Sequence, residues 1–232
     1  IYVYSDRTES EWAWYDDAGM MVACAPDVPV SEFAQGVHPL LAARKTPDDG
    51  SARVCIANLF NDVMLTEPFF LINGGRLLRA GERGFWTFRK DLSKAFLIVR
   101  LAADTQRLMA FVDPRDGVVK RFVGAMFGAA PCPQALAVVG GGFVIVARAG
   151  MQALAEDMRL EGGAELRRDL ERLASDHDAY AAYVDDFCSS ARPLPGTILD
   201  MFQSVEGDMA GLPWAPEKFL CGWAIVAIGN KI

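Results

Sequence analysis

Residues 164–187, AELRRDLERLASDHDAYAAYVDDF, carry the pattern on which the fold class depends. Apolar and aromatic residues recur there at alternating spacings of four and three, which is typical of one face of an α-helix. These residues are Leu166, Leu170, Leu173, His177, Tyr180, Val184 and Phe187. Charged residues between Glu165 and Arg172 cover the other side. The spacing predicts one long amphipathic helix that ends at Pro193-Leu-Pro195.

The residues before this helix have the spacing of short strands. Residues 11–15 and 20–25 flank a turn with Gly19, a residue suited to a positive φ, so the sequence predicts a hairpin there. Ser31 is predicted to cap a short helix whose apolar face includes Leu40 and Leu41. The apolar run from Gly140 to Val146 is expected to be a buried strand whose glycines allow close backbone approach.

These patterns together predict an α+β fold. We expect a mainly antiparallel twisted sheet in residues 1–149, with helices packed on it, and a helical third in residues 150–232. The two regions, one β-rich and one α-rich, are predicted to share one core as a single domain. A final apolar segment, residues 219–228, is expected to return to the sheet as a buried strand.

Composition restricts the function classes. The chain has 232 residues, of which 52% are hydrophobic and 23% charged, values that exclude a disordered or collagen-like protein. Its net charge of −7 makes nucleic acid a poor candidate partner. The charge is uneven, because residues 73–121 have 5 acids and 11 bases whereas residues 151–232 have 14 acids and 7 bases.

The five cysteines indicate a compartment. They are scattered and form no CxxC pair, a pattern that favours reduced thiols and a cytoplasmic location. The longest apolar stretches are shorter than the ~18 residues that span a bilayer, so no membrane helix is expected.

Two residues are weak catalytic candidates. His177 lies between Asp176 and Asp178, which suggests acid/base chemistry, although its place on the helical face favours a core histidine. Cys132 lies between two prolines in a predicted loop and could serve a Cys–His hydrolase, although a structural cysteine is the favoured interpretation. With only two histidines and no phosphate-binding motif, neither a metal nor a cofactor is predicted.

Two surfaces are candidates for binding another protein. Trp12 and Trp14 share one face of the predicted first strand, and such aromatic residues often anchor interfaces. Acidic residues of the helical third provide a surface for a basic partner. They are Glu165, Asp169, Glu171, Asp176 and Asp178.

Two short segments resemble a known family. Residues 68–75, PFFLINGG, and residues 109–119, MAFVDPRDGVV, are similar to the NGG turn and a later Asp-containing turn of the SUKH superfamily, which includes bacterial toxin-immunity proteins. The helix that precedes the NGG turn in that family is not recognisable in this sequence. The resemblance therefore implies only an interaction protein.

The sequence thus predicts a non-enzymatic protein that binds a basic partner protein, of the toxin-neutralising, immunity or adaptor type. A subunit of a larger assembly, such as a viral particle, and a cysteine/histidine-dependent hydrolase are the alternatives. The sequence does not indicate the oligomeric state.

Overall fold

The chain is an α+β protein with antiparallel sheets and a helical C-terminal region, as predicted. The computed structural model describes residues 4–44, 52–63, 85–158, 163–212, 214–222, 226–227 and 230–231. Within them the α-helices are α1 Glu9–Asp17, α2 Val30–Phe33, α3 Ala95–Ile98, α4 Ala103–Gln106, α5 Cys132–Asp157, α6 Ala164–Ser175 and α7 Pro193–Ala210. The strands are β1 Met21–Ala23, β2 Leu40–Arg44, β3 Ala52–Ile56, β4 Trp86–Asp91, β5 Ala110–Val112, β6 Val119–Phe122, β7 Tyr180–Tyr183, β8 Asp186–Ala191, β9 Leu220–Gly222, β10 Val226–Ala227 and β11 Asn230–Lys231.

The chain forms two compact units, each built from two segments. The first contains residues 1–67 and 96–133, and the second contains residues 68–95 and 134–232. That the β-rich and α-rich regions share one core remains a prediction.

In the first unit, β6 lies between β1 and β5, and β2 pairs with β3. The predicted hairpin of residues 11–15 with 20–25 is wrong, because residues 11–15 belong to helix α1. Trp12 and Tyr15, three positions apart, lie on one side of that helix and are both 1% exposed. They pack against the stacked rings of Phe111 and Phe122. The turn after α1 does use Gly19 with a φ of +59°.

The short helix at Ser31 also differs from the prediction. Helix α2 has four residues and is preceded by Pro29, and no side chain caps its first turn. Leu40 and Leu41 belong to strand β2, where Leu40 faces Ile56 of β3. A four-residue helix has no room for the predicted apolar face, so pairing with β3 decides the conformation of this segment.

The second unit is a four-stranded antiparallel sheet in the order β7-β8-β4-β9. Helix α7 packs on β4 and β8. Its N-terminal Pro193 and Pro195 begin this helix rather than end the one before, since first-turn prolines have no N–H that needs a partner. Strand β9 confirms the predicted return of the last apolar segment to the sheet for residues 220–222, but Leu220 is 40% exposed and not fully buried.

The predicted strand at residues 140–146 is wrong, because these residues lie inside helix α5. A Cβ atom added to Gly140 would lie 3.0 Å from the carbonyl oxygen of Val184, between β7 and β8. The glycine therefore does allow close backbone approach, but as part of a helix. By length and composition, α5 is also the helix in the described part of the chain that could span a membrane, with 22% of its most apolar window buried.

The predicted helix over residues 164–187 ends early. Helix α6 stops at Ser175, and the Asp176 carboxylate accepts the backbone N–H of Asp178 in a tight turn. The remaining residues form β7 and β8, which pair with each other and with β4. The residues of β7 and β8 have helical spacing and nevertheless form strands, because pairing with the sheet overrides local periodicity.

Candidate functional site

Three carboxylates meet where strand β4 ends beside the turn between β7 and β8. Asp91 is the last residue of β4 and lies directly opposite Asp186, the first residue of β8. Asp185 occupies the turn between β7 and β8, and its carbonyl accepts the N–H of Leu92 at 3.2 Å. Segments distant in the chain thus place three acidic side chains at one end of the sheet.

Asp91 and Asp186 lie on the face of the sheet that α7 does not cover. Lys90 of β4 extends to α7, where its ammonium donates to Asp200 at 2.8 Å. Because successive side chains of a strand alternate between faces, Asp91 lies on the opposite side of the sheet. Asp186 shares that side, since directly opposed residues of an antiparallel pair project to the same face.

The backbone around the carboxylates is held in place. The Asp91 carbonyl accepts the N–H of Ala215 at 2.9 Å. Val184, in the turn between β7 and β8, has a φ of +58°. This left-handed conformation is costly for a β-branched residue, and such strain is found mostly at functional sites.

Two cations neutralise part of the acidic charge. Lys218 donates to Asp91 Oδ2 at 2.6 Å, and the guanidinium of Arg89 donates twice to Asp186 Oδ1, at 2.7 and 2.9 Å. Asp91 Oδ1 is buried and has no hydrogen-bond partner in the described residues. Burial, reinforced by the nearby charge of Asp91, raises the pKa of Asp185 to about 6. Burial also raises the pKa of Asp186, although Arg89 opposes the shift.

The donor set fits a hard divalent cation such as Mg²⁺. Carboxylate oxygens are its preferred ligands, and crowded carboxylates gain from a cation that relieves their repulsion. Among the described residues, no three His, Cys, Asp or Glu side chains are grouped closely enough to hold a metal by themselves. Mg²⁺ does not require three, because it is commonly held by one or two carboxylates together with water and substrate phosphates. Asp91, with its unpartnered oxygen, and Asp185 are the residues that would hold it.

The raised pKa of Asp185 predicts a pH-dependent stability. A carboxyl whose folded pKa exceeds its unfolded value of about 4 stabilises the fold at low pH, and this contribution is lost as the pH rises through about 6. Asp185→Asn is therefore expected to raise the free energy of unfolding at pH 7.5 by about 2 kcal/mol. The gain should shrink towards pH 4. Urea denaturation of both proteins across this range measures it, and equal stability at pH 7.5 would contradict the burial of this charge.

The two weak catalytic candidates lie elsewhere in the fold. Cys132 is the first residue of α5 and is 2% exposed, so the predicted loop thiol is wrong, and burial raises its pKa. His177 lies in the exposed turn after α6 instead of on an apolar helix face, and its Nδ1 is 2.8 Å from Arg148. Neither the thiol nor the imidazole lies in a setting that activates it.

The predicted binding residues are mostly engaged within the chain. Glu165 and Asp169 both form ion pairs with Arg192, and Glu171 lies 3.8 Å from Arg167. Asp176 and Asp178 form the turn after α6. Trp12 is buried beneath Arg115, and Trp14 is half-buried beside the same core, so the shared strand face predicted for the two tryptophans does not exist.

Sequence reasoning missed Asp91, Asp185 and Asp186. The signal that could have found the last two is a pair of adjacent acids between two short runs rich in aromatic and small residues, YAAY and FCSS. Aspartates are typical of the boundary of a short strand. The helical spacing of the surrounding residues concealed it.

No protein-family model and no curated protein matches this chain. The second unit has a sheet of four antiparallel strands, with α7 on one face and Asp91 and Asp186 on the other. The whole chain is similar in fold to part of the foamy viral protease-reverse transcriptase in complex with double-stranded DNA, with a TM-score of 0.67 and 14% identity, over 100% of this chain and 34% of that chain. The same type of protein in complex with an RNA/DNA hybrid matches with a TM-score of 0.61 and 13% identity, over 100% of this chain and 26% of that chain. This chain therefore spans about a third or less of the length of these two proteins, and at this identity the likeness establishes the fold.

Proposed function

We propose that this chain contains the nucleotidyl-transfer site of a template-directed polymerase of the reverse-transcriptase type. The observation that carries the proposal is the meeting of Asp91, Asp185 and Asp186 at one end of the sheet. Paired strands that hold carboxylates for Mg²⁺ suit phosphoryl chemistry, because the substrate phosphates complete the coordination. The fold likeness to a protease-reverse transcriptase supports the same reaction.

The reaction assigned to the site is primer extension. The 3′-hydroxyl oxygen of a primer forms a bond to the α-phosphorus of a nucleoside triphosphate, pyrophosphate leaves, and the hydroxyl proton passes to solvent. A Mg²⁺ ion held there would activate the hydroxyl and neutralise charge on the phosphates. Asp91 and Asp185 would hold the cation, while the Arg89–Asp186 ion pair fixes the start of β8.

The net charge of −7 suggested that nucleic acid is a poor partner, and the proposal departs from that expectation. Net charge averages over the whole chain and does not describe the field at one surface. Binding of a basic protein remains the competing prediction. It has less support from Glu165 and Asp169, because Arg192 already neutralises part of their charge.

A test of the site that needs no turnover is stabilisation by Mg²⁺ in the presence of dTTP. A ligand that binds only the folded state at a hundredfold excess over its Kd raises the free energy of unfolding by about 2.7 kcal/mol. We expect an upward shift of Tm in the wild-type chain and none in Asp91→Asn. Lys218→Met should bind Mg²⁺ more tightly, since the Lys218 ammonium competes for Asp91 Oδ2.

The matched control is Asp208→Asn, which removes an exposed carboxylate from α7. This variant should show the same Mg²⁺-induced rise of Tm as the wild-type chain. A shift in Asp91→Asn as large as in the wild-type chain would show that the cation binds elsewhere and would remove the basis of the proposal.

A further inference from the structure

An open apolar groove of about 440 Å³ lies between helices α5 and α7 of the second unit. Its volume lies in the range of protein sites that bind organic groups. The residues that line it are Val139, Gly142, Phe143 and Val146 of α5 and Glu206, Met209 and Ala210 of α7. Glu206 is the charged residue among them.

The position of the Glu206 carboxylate lowers the stability of the fold. Both of its carboxylate oxygens are buried and have no hydrogen-bond partner in the described residues. Burial raises its pKa to about 7. An acceptor buried without a partner destabilises a fold, so a carboxylate in this position is consistent with a cation supplied from outside the chain.

The rim of the groove is apolar and exposed. Met209 is 85% exposed and Val146 59%. Contiguous exposed apolar surface on a folded protein usually marks a binding site. A Cβ atom added to Gly142 would find no heavy atom within 4 Å, so the groove wall leaves room there for a partner to approach the backbone of α5.

We propose that this groove binds one amphipathic helix of a partner protein, whose apolar residues fill the groove and whose Lys or Arg pairs with Glu206. Helix-in-groove recognition uses anchors at i, i+3, i+4 and i+7, which suits an apolar groove between two helices. Charge complementarity identifies the partner as cationic at one anchor position. A two-fold pair of copies of this chain is disfavoured, because a contact through the same groove would bring two Glu206 carboxylates together.

The probe is a fluorescein-labelled, Ala-rich helical peptide of about 18 residues, with Leu at i, i+3 and i+7 and Lys at i+4. A matched peptide has norleucine in place of the Lys. Fluorescence anisotropy should show the wild-type chain binding the Lys peptide about tenfold more tightly than the norleucine peptide, in keeping with one desolvated charge pair. Glu206→Gln should abolish this preference, and Asp208→Asn should keep it.

Stability provides the second measurement. Glu206→Leu removes the unpartnered carboxylate, so its Tm should rise while the preference for the Lys peptide disappears. Equal binding of both peptides to the wild-type chain, the absence of any binding, or a Glu206→Leu variant of lower Tm would each overturn the proposal. Binding of the wild-type chain to phosphatidylcholine vesicles, unchanged by Glu206→Gln, would overturn it too, because it would assign the apolar face to a lipid surface. None of these measurements involves Mg²⁺ or nucleotide, so their failure is distinct from failure of the proposed polymerase site.

Discussion

Replacing Asp91 by Asn is expected to lower the rate of nucleotide incorporation by about 10³-fold or more, equivalent to about 4 kcal/mol of transition-state stabilisation. The reason is electrostatic. Asn keeps the shape of the side chain but removes the negative charge from the oxygen that has no partner in the described residues. The measurement is incorporation of labelled dTTP on a poly(rA) template with an oligo(dT) primer in Mg²⁺.

The controls separate loss of chemistry from loss of fold. Asp91→Asn should keep the wild-type circular dichroism, because Lys218 is 48% exposed and regains water when its ion pair is weakened. Asp208→Asn should keep full incorporation. An Asp91→Asn protein that retains a tenth or more of the wild-type rate would contradict the assignment of Asp91 to the cation site.

Replacing Gly207 by Ala is expected to lower the free energy of unfolding by about 3 kcal/mol, the upper part of the range for overpacking. A Cβ atom on Gly207 would lie 2.1 Å from Nε1 of Trp214. The indole would have to move, and its hydrogen bond to the carbonyl of Gln203, now 2.9 Å, would be lost. Its contacts with Phe187 and with the ammonium of Lys90 would weaken as well.

The Gly207→Ala substitution should also weaken Mg²⁺ binding at the carboxylates. Trp214 pairs with Leu92, and its neighbour Ala215 donates to the carbonyl of Asp91. Displacement of the indole is therefore expected to weaken the Mg²⁺-induced Tm shift as well as the fold. The matched control is Gly141→Ala on α5, where an added Cβ would meet no heavy atom within 4 Å and where Ala is the better helix former by about 1 kcal/mol. Equal urea midpoints for the two variants would contradict the close approach at Gly207.

The local parts of the fold followed from the sequence. The left-handed turn at Gly19 was predicted. Helix α6 was predicted at its N-terminal end, where leucines and charges alternate on two faces. In each of these cases short-range sequence patterns and side-chain alternation are enough to specify the structure.

The candidate site did not follow from the sequence. Nothing near Asp91 in the chain marks it as a ligand, because its significance comes from lying opposite Asp186. Arg89 and Asp186, which form an ion pair, are 97 positions apart. Such pairings depend on which strands come together, and a local pattern does not specify that.

The sequence by itself determined the α+β class and the helical character of the C-terminal region. Tertiary structure decided that residues 180–183 and 186–191 are strands, although their spacing matched a helix, because pairing with β4 satisfies the backbone groups of β8 and buries Phe187. The same pairing brought Asp91, Asp185 and Asp186 together. Local periodicity indicates which face of a helix or strand is apolar. The element that packs on or pairs with that face is determined only when the whole chain folds.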